Sequence, residues 1–304
     1  LVTKAGQNNA KKVDAAEAIA KVDALKAKLA DATALLKDKA NTSDLATAKD
    51  ALKALAGVEN VTDGKTTSTK DAYDAAKRDA DAAVTAAEDV INNADSTPEQ
   101  VAEALTNVKA KKAELEKAKA ALVDKATEAQ KTKLEESAAK LVKADTAGKT
   151  QESINEYETT YNNLKTELDK AIEAAAAIKT AGDNASEHAA LKAQEAVDAV
   201  QAKLDAAKAT LVDKATEEQV AELRKAEAAL TPEEESSLAG TKTPASIAEY
   251  KKAVEAIQAD LTQAKTTASD LVTKAAQNNA KKADAAEAIA KVDALKAKLA
   301  NATA

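Results

Sequence analysis

The sequence predicts an all-α protein of tandem three-helix bundles that stack end to end into an elongated rod. The first observation is composition, because Ala, Lys, Glu and Leu are strong helix formers and dominate the chain. The second is the scarcity of helix breakers, with only 6 Gly and 3 Pro among 304 residues. The third is internal repetition, which is typical of arrays in which one small unit stacks on the next.

The N-terminal stretch of the chain returns 270 residues later, where residues 271–304 repeat residues 1–34. Only three aligned pairs differ: Gly6 and Ala276, Val13 and Ala283, and Asp31 and Asn301. Residues of surface type match as closely as residues of core type, which indicates duplication of a DNA segment. Because the chain begins and ends inside this duplicated stretch, we expect it to be a fragment of a longer protein.

A shorter period divides the chain further. The hexapeptide LVDKAT occupies residues 122–127 and 211–216, and the related LKDKAN occupies residues 36–41. These markers predict that residues 1–40 are the C-terminal helix of a preceding repeat and that three repeats follow, at residues 41–126, 127–215 and 216–304. The hexapeptide runs directly into the next predicted helix, so we expect no flexible linker between repeats.

The first helix of each repeat is predicted from its start signals. Residues 127–130 and 216–219 are capping boxes, in which the Thr and the residue three positions later satisfy each other's backbone amides. Thr97 with Pro98 and Thr231 with Pro232 predict two more helix starts, since Pro is favoured at the first helical position.

The second helix of each repeat is predicted to place its tyrosines in the core. In residues 154–168, apolar side chains are spaced alternately by three and four residues, which places them on one helix face. An equivalent stripe follows in residues 247–261, and a smaller one begins at Tyr73. Asn-rich turns at residues 7–9, 92–93, 183–184 and 277–279 separate this helix from the next.

The third helix carries an apolar residue every seven positions, which indicates a seam against neighbouring helices. From these two patterns we take ten residues as markers of the core: Tyr73, Tyr157, Tyr161, Tyr250, Val108, Leu115, Leu122, Val197, Leu204 and Leu211. The chain has no Phe, Trp, Met or Cys, so the cores are expected to be thin.

Several classes of function are disfavoured by the composition. The net charge of -7 and the mixing of acidic and basic residues argue against nucleic-acid binding. No apolar run is long enough to cross a membrane. His188 is the only histidine, and the Gly-Lys-Thr sequences at residues 64–66 and 148–150 lack the spacing of a phosphate-binding loop, so we interpret them as turns. We predict no catalytic residues, no cofactor and no metal.

The sequence S-I-x-E-Y at residues 153–157 and 246–250 is followed by a long Tyr-bearing helix, an Asn-rich turn and a heptad helix that ends in L-V-D-K-A. This order resembles the FIVAR-type three-helix repeats of Gram-positive cell-surface and extracellular-matrix-binding proteins. The resemblance implies a secreted, wall-attached, rod-like adhesin whose partners are host matrix or plasma proteins such as fibronectin.

We therefore predict a structural stalk and adhesin segment at a bacterial surface, with weak multivalent binding to host matrix proteins. The alternative is a pure spacer that presents a distal binding domain. A parallel coiled-coil dimer would need heptads that continue through the turns, and the Asn, Gly and Pro breaks argue against it. The predicted rod is monomeric.

Overall fold

The computed structural model describes residues 2–7 and 11–303 and confirms the all-α class. Its contacts divide the chain into two compact units, Leu1–Lys125 and Ala126–Ala304. In the described part of the chain, the only β-type pairings are isolated bridges between turns. The repeat boundaries proposed from sequence stay predictions, and part of the turn at residues 7–9 lies outside the described residues.

The described residues of the first unit form five helices, of which the last three make a bundle. They are α1 (Val2–Gly6), α2 (Lys12–Ala34), α3 (Ser43–Ala56), α4 (Thr67–Asn92) and α5 (Pro98–Ala120). Apolar residues of α3, α4 and α5 meet in one core, centred on Leu45, Leu52, Tyr73, Val108 and Leu115. By contrast, none of the side chains of α2 is buried.

The second unit contains two three-helix bundles in succession. Its α-helices are α6 (Glu128–Ala138), α7 (Gln151–Ala181), α8 (Glu187–Ala209), α9 (Glu217–Ala229), α10 (Glu235–Leu238), α11 (Pro244–Ala276) and α12 (Lys282–Thr303). One core joins α6, α7 and α8, and a second joins α9, α11 and α12. The short α10 covers a small separate cluster of Leu238, Ile247 and Tyr250.

Both cores are thin because alanine supplies much of their surface. Alanines such as Ala171, Ala175 and Ala193 are buried in the first core, and Ala264 and Ala268 in the second. A small side chain lets neighbouring helices approach closely, but it buries little apolar area at about 25 cal/mol per Å². The stability of each bundle therefore depends on a few leucines, valines and tyrosines.

The predicted helix starts have mixed outcomes. The capping boxes at Thr127 and Thr216 are confirmed, as is Pro98 at the start of α5, where Thr97 completes a further capping box. The start predicted at Thr231 and Pro232 is wrong, because α9 ends at Ala229 and α10 begins at Glu235.

The hydroxyl of Thr231 explains this error. Its Oγ1 donates a hydrogen bond to the carbonyl of Glu227 at 2.7 Å, so the side chain completes the end of α9 and does not cap a new helix. Pro232 follows where a helix can no longer continue. The long helix of this repeat begins instead at Pro244, where the side chain of Thr243 accepts a hydrogen bond from the Ser246 amide.

Candidate functional site

Three of the four tyrosines are buried, and two of them fasten a loop to the long helix. Tyr157 is 0% exposed, and its hydroxyl accepts a hydrogen bond from the backbone N–H of Ala144 at 2.6 Å. Tyr250 makes the same contact with the N–H of Glu233 at 2.8 Å. In each case the donor lies in the connection that follows the first helix of the bundle. These hydroxyls therefore hold a loop in place.

The other two tyrosines differ from this arrangement. Tyr73 is buried, but its hydroxyl has no hydrogen-bond partner in the described part of the chain, and burial raises its pKa. Tyr161 is half-buried, with its ring centroid 6.0 Å from that of Tyr157. The ammonium group of Lys143 lies 5.7 Å from the centre of the Tyr161 ring, within the range of a cation–π contact.

The heptad markers are buried where they lie within a helix. Val108 and Leu115 of α5, and Val197 and Leu204 of α8, are all at most 1% exposed. The last marker of each series, Leu122 or Leu211, is only half-buried because α5 ends at Ala120 and α8 ends at Ala209. The heptad spacing therefore continues past the helix into the connection to the next bundle.

Each Gly-Lys-Thr sequence is a turn, as predicted, and in the first unit it pairs with the segment Val123–Lys125. The N–H of Thr66 donates to the carbonyl of Val123 at 2.8 Å, and the N–H of Lys125 donates to the carbonyl of Gly64 at 2.9 Å. Lys65 Nζ lies 2.6 Å from Asp124 Oδ1. The turn between α3 and α4 is thereby bound to the segment that follows α5.

The second unit repeats this pairing between residues 148–150 and 212–214. The N–H of Thr150 donates to Val212, and the N–H of Lys214 donates to Gly148, at 2.8 and 2.9 Å. Lys149 Nζ lies 2.7 Å from Asp213 Oδ1. This pairing was not predicted from the sequence, although both motifs recur in the same order, because backbone partners far apart in the chain leave no signature in residue type.

Inside the second unit, the turn before α12 adds to the same assembly. The N–H of Ala215 donates to the carbonyl of Ala280 at 2.8 Å, and the N–H of Lys282 donates to the carbonyl of Asp213 at 2.9 Å. The carbonyl of Asn278 accepts a hydrogen bond from the N–H of Gln151 at 3.0 Å. Backbone groups left free at the starts of α7 and α12 therefore find partners across the junction of the two bundles.

The Asn-rich turn before α12 thus has a defined role at this junction. Asn278 adopts the left-handed conformation, with φ of 58°, and Asn279 Oδ1 accepts a hydrogen bond from the N–H of Glu152 at 2.9 Å. Hydrogen bonds from Lys149, together with the positive charges of Lys149 and Lys282, lower the pKa of Asp213. The junction is a network of backbone and side-chain hydrogen bonds with no intervening linker.

The surface of the second unit carries depressions that are open to solvent, some lined mainly by polar and some mainly by apolar surface. One groove of about 560 Å³ lies beside the junction and is lined by Lys214, Glu217, Arg224 and Asn278, among others. Its walls carry both signs of charge. His188 is exposed on α8, and within residues 2–7 and 11–303 no group of three or more potential ligands is close enough to hold a metal ion.

None of the helices in the described residues is both long and apolar enough to span a bilayer. The described residues offer a surface that carries both signs of charge and a hydrogen-bonded junction between the two bundles of the second unit. Such a surface can make many small contacts with a macromolecule.

No family model matches the chain, so the resemblance to FIVAR-type repeats stays a prediction. The chain is 33% identical over 163 residues to the extracellular matrix-binding protein EbhB of Staphylococcus aureus strain N315, covering 53% of this chain and 4% of that protein. The extracellular matrix-binding protein ebh of strain USA300 shows the same identity, and the chain spans 2% of it.

A solved structure from "Characterization of extracellular matrix binding protein- (Embp)-mediated Staphylococcus epidermidis adherence to fibronectin" shows 24% sequence identity and a TM-score of 0.23. The alignment covers 55% of this chain and 98% of that chain. Over about half of its length, the chain is homologous to the extracellular matrix-binding proteins of Staphylococcus aureus.

Proposed function

We propose that this chain is a structural stalk and adhesin segment of a bacterial cell-surface protein, and that it binds host extracellular matrix proteins weakly and at several points. The observation that carries the proposal is the 33% identity, over about half of the chain, to proteins named for matrix binding. Because the chain spans only 4% or 2% of those relatives, it would act as one part of a much longer cell-surface protein.

The physical character of the bundles supports multivalent binding. Their outer faces are mixed in charge, and the depressions described above are open to solvent, so one bundle offers little area for a strong contact. When equivalent weak sites are linked, binding at one site raises the effective concentration at the next, and the overall affinity rises steeply. Fibronectin is the first partner to test, since the FIVAR resemblance implies matrix or plasma proteins of that kind.

The alternative function is a spacer with no ligand of its own. The duplicated ends favour it, because recombination between them would change the number of repeats without damaging a binding site. The direct hydrogen bonding between the two bundles of the second unit suits a stalk under either proposal, since the junction contains no flexible linker. Both proposals place the protein outside the cell, attached to its surface.

Biolayer interferometry can separate the two functions. We would immobilise fibronectin, fibrinogen, collagen or albumin at several densities and compare the whole chain with residues 1–125, the first compact unit. The adhesin proposal predicts binding by the whole chain that strengthens with ligand density, and much weaker binding by residues 1–125. Absence of binding to all four ligands at physiological salt would contradict the adhesin proposal and leave the spacer.

A further inference from the structure

The groove beside the junction of the second unit belongs to the third bundle, which consists of α9, α11 and α12. We call it the α9 groove. Its volume is about 560 Å³, and it is open to solvent. Its walls come from the segment after α8, the first turns of α9 and the end of α11 with the turn that follows. The floor is apolar, with Val220, Ala275 and Ala280 among its residues.

The second bundle, made of α6, α7 and α8, has charged contacts at the equivalent place. The two bundles can be aligned through their capping boxes at Thr127 and Thr216. In the second bundle, Lys131 Nζ donates a hydrogen bond to the carbonyl of Gly182 at 3.4 Å. One turn further along α6, the carboxylate of Glu135 forms an ion pair with Lys179 of α7. Long side chains therefore bridge α6 and α7 where the third bundle has its groove.

Three substitutions remove this bridge from the third bundle. The residues at the positions of Lys131, Glu135 and Lys179 are Val220, Arg224 and Val272. The charge at the central position is thus reversed, and the opposite charge across the groove is lost. Arg224 is exposed, and its side chain forms no ion pair or hydrogen bond with any of the residues that the structure describes. The third bundle therefore keeps one half of a charged pair.

The other charged residues that line the groove do not replace the missing partner. Lys214 adds a second positive charge, and its Nζ lies 3.4 Å from Asn278 Oδ1. The carboxylate of Glu217 also lines the groove, but seven residues of helix separate it from Arg224, a rise of about 10 Å. A carboxylate that pairs with Arg224 at this place must therefore come from another molecule.

We propose that the α9 groove binds an acidic, extended segment of a partner protein. A carboxylate of this segment pairs with the guanidinium of Arg224, which can donate two parallel hydrogen bonds to it. Small apolar side chains of the same segment lie on the floor formed by Val220 and Ala275. A second carboxylate can approach Lys214 at the other end of the groove.

The shape of the groove favours a peptide over a small molecule. Sites for small molecules usually enclose most of the ligand, whereas this groove is open to solvent. An extended chain can run along an open groove and continue beyond both ends. The second bundle lacks the feature, because Glu135 would repel an acidic segment. This binding needs only the groove and its charges, so it is independent of the proposed matrix binding and holds equally for a spacer.

The test measures binding of a defined peptide to the full chain. The probe is a terminally blocked, fluorescently labelled peptide in which two aspartates alternate with alanine and valine, and its control has asparagine in place of aspartate. Fluorescence anisotropy at physiological ionic strength gives the Kd. Arg224→Glu places the residue of the second bundle in the groove. Lys225→Glu makes the same change of charge at the next residue, which is exposed and does not line the groove.

We expect the unmodified chain to bind the aspartate peptide at least about fivefold more tightly than the asparagine peptide. Arg224→Glu should weaken binding of the aspartate peptide by about tenfold or more, because it replaces attraction by repulsion. Lys225→Glu should weaken it by no more than about twofold, since solvent and salt screen a charge outside the groove. Circular dichroism checks that both variants remain folded. Equal binding of the two peptides, or equal losses in the two variants, would overturn the proposal.

Discussion

The helices α2 and α12 have almost the same sequence and opposite surroundings. Leu25 of α2 is 64% exposed, whereas its counterpart Leu295 is 6% exposed. Both segments are helical because of their local composition, which is rich in Ala, Lys and Leu. With 23 and 22 residues, α2 and α12 are longer than the isolated helices that are only marginally stable in water. The difference therefore teaches that this sequence specifies a helix by itself, and that α9 and α11 determine whether its apolar face is buried.

The starts of the two helices differ in the same way. The residue before α2, Lys11, makes no side-chain capping bond. At the start of α12, the N–H of Lys282 donates to the carbonyl of Asp213 in the preceding bundle. The helices α9 and α11 of the same bundle thus supply the apolar partner of α12, and the connection after α8 supplies a hydrogen-bond acceptor, neither of which the sequence of α12 encodes.

The largest difference is expected when the equivalent leucine of α2 and of α12 is replaced by alanine. Leu295→Ala should lower the free energy of unfolding of the third bundle by about 2 to 4 kcal/mol, because it removes buried apolar atoms and leaves a cavity. Leu25→Ala should change stability by less than about 0.5 kcal/mol, since its side chain is exposed. Chemical unfolding followed by circular dichroism measures both, and equal losses would show that the two helices share the same environment.

A second comparison sets Tyr157 against Tyr73, which occupy equivalent places in successive repeats. Tyr157→Phe should cost roughly 1 to 3 kcal/mol, because the N–H of Ala144 loses its acceptor in a partly buried loop. Tyr73→Phe should be neutral or slightly stabilising, since it removes a buried hydroxyl that has no partner among the described residues. Urea unfolding of the two variants measures the difference.

The pH dependence of stability provides a control for the Tyr73→Phe variant. Burial, with the negative charges of Asp74 and Asp81, raises the folded-state pKa of Tyr73. Its neutral form is thus favoured by folding, and this contribution is complete below the unfolded pKa of about 10 and is lost as pH rises through the folded pKa. We expect the unmodified chain to lose more stability than Tyr73→Phe above about pH 10; parallel pH curves would contradict this.

Periodic patterns in the sequence predicted the class and most helices, since the spacing of Ile154, Tyr157 and Tyr161 is a local property of one helix. Features that depend on distant partners were not predicted. Thr97 with Pro98 and Thr231 with Pro232 have the same local signal, yet only the first pair starts a helix, because the Thr231 hydroxyl bonds to Glu227. The exposure of α2 likewise depends on neighbours and not on its own residues.

A smaller effect is expected for two glycines in equivalent turns. Gly148 has φ of 72°, a left-handed conformation that a side chain disfavours, and its carbonyl accepts the N–H of Lys214. Gly240 does not have positive φ, and an added methyl group would meet no atom within 4 Å.

Gly148→Ala should therefore cost about 1 kcal/mol of stability, whereas Gly240→Ala should be neutral or stabilise slightly by restricting the unfolded chain. Thermal unfolding of both variants gives the comparison. If Gly240→Ala lowered stability as much as Gly148→Ala, the expectation would be wrong. The turn at Gly240 would then require glycine even though its φ is not positive.

The smallest effect concerns the residue whose carbonyl holds the start of α12. Asp213→Asn keeps that backbone acceptor and removes the ion pair with Lys149. Solvent screens this ion pair, because the Asp213 side chain is exposed. Hydrogen bonding and charge from Lys149 lower the folded-state pKa of Asp213, so its contribution is present above the unfolded pKa of about 3.9 and is lost as pH falls through the folded value. Melting temperatures should thus differ slightly at neutral pH and converge in acid. Lys149→Gln should behave in the same way, because it removes the other partner, whereas a difference that persists in acid would mean that the Asn side chain disturbs the backbone contact with Lys282 itself.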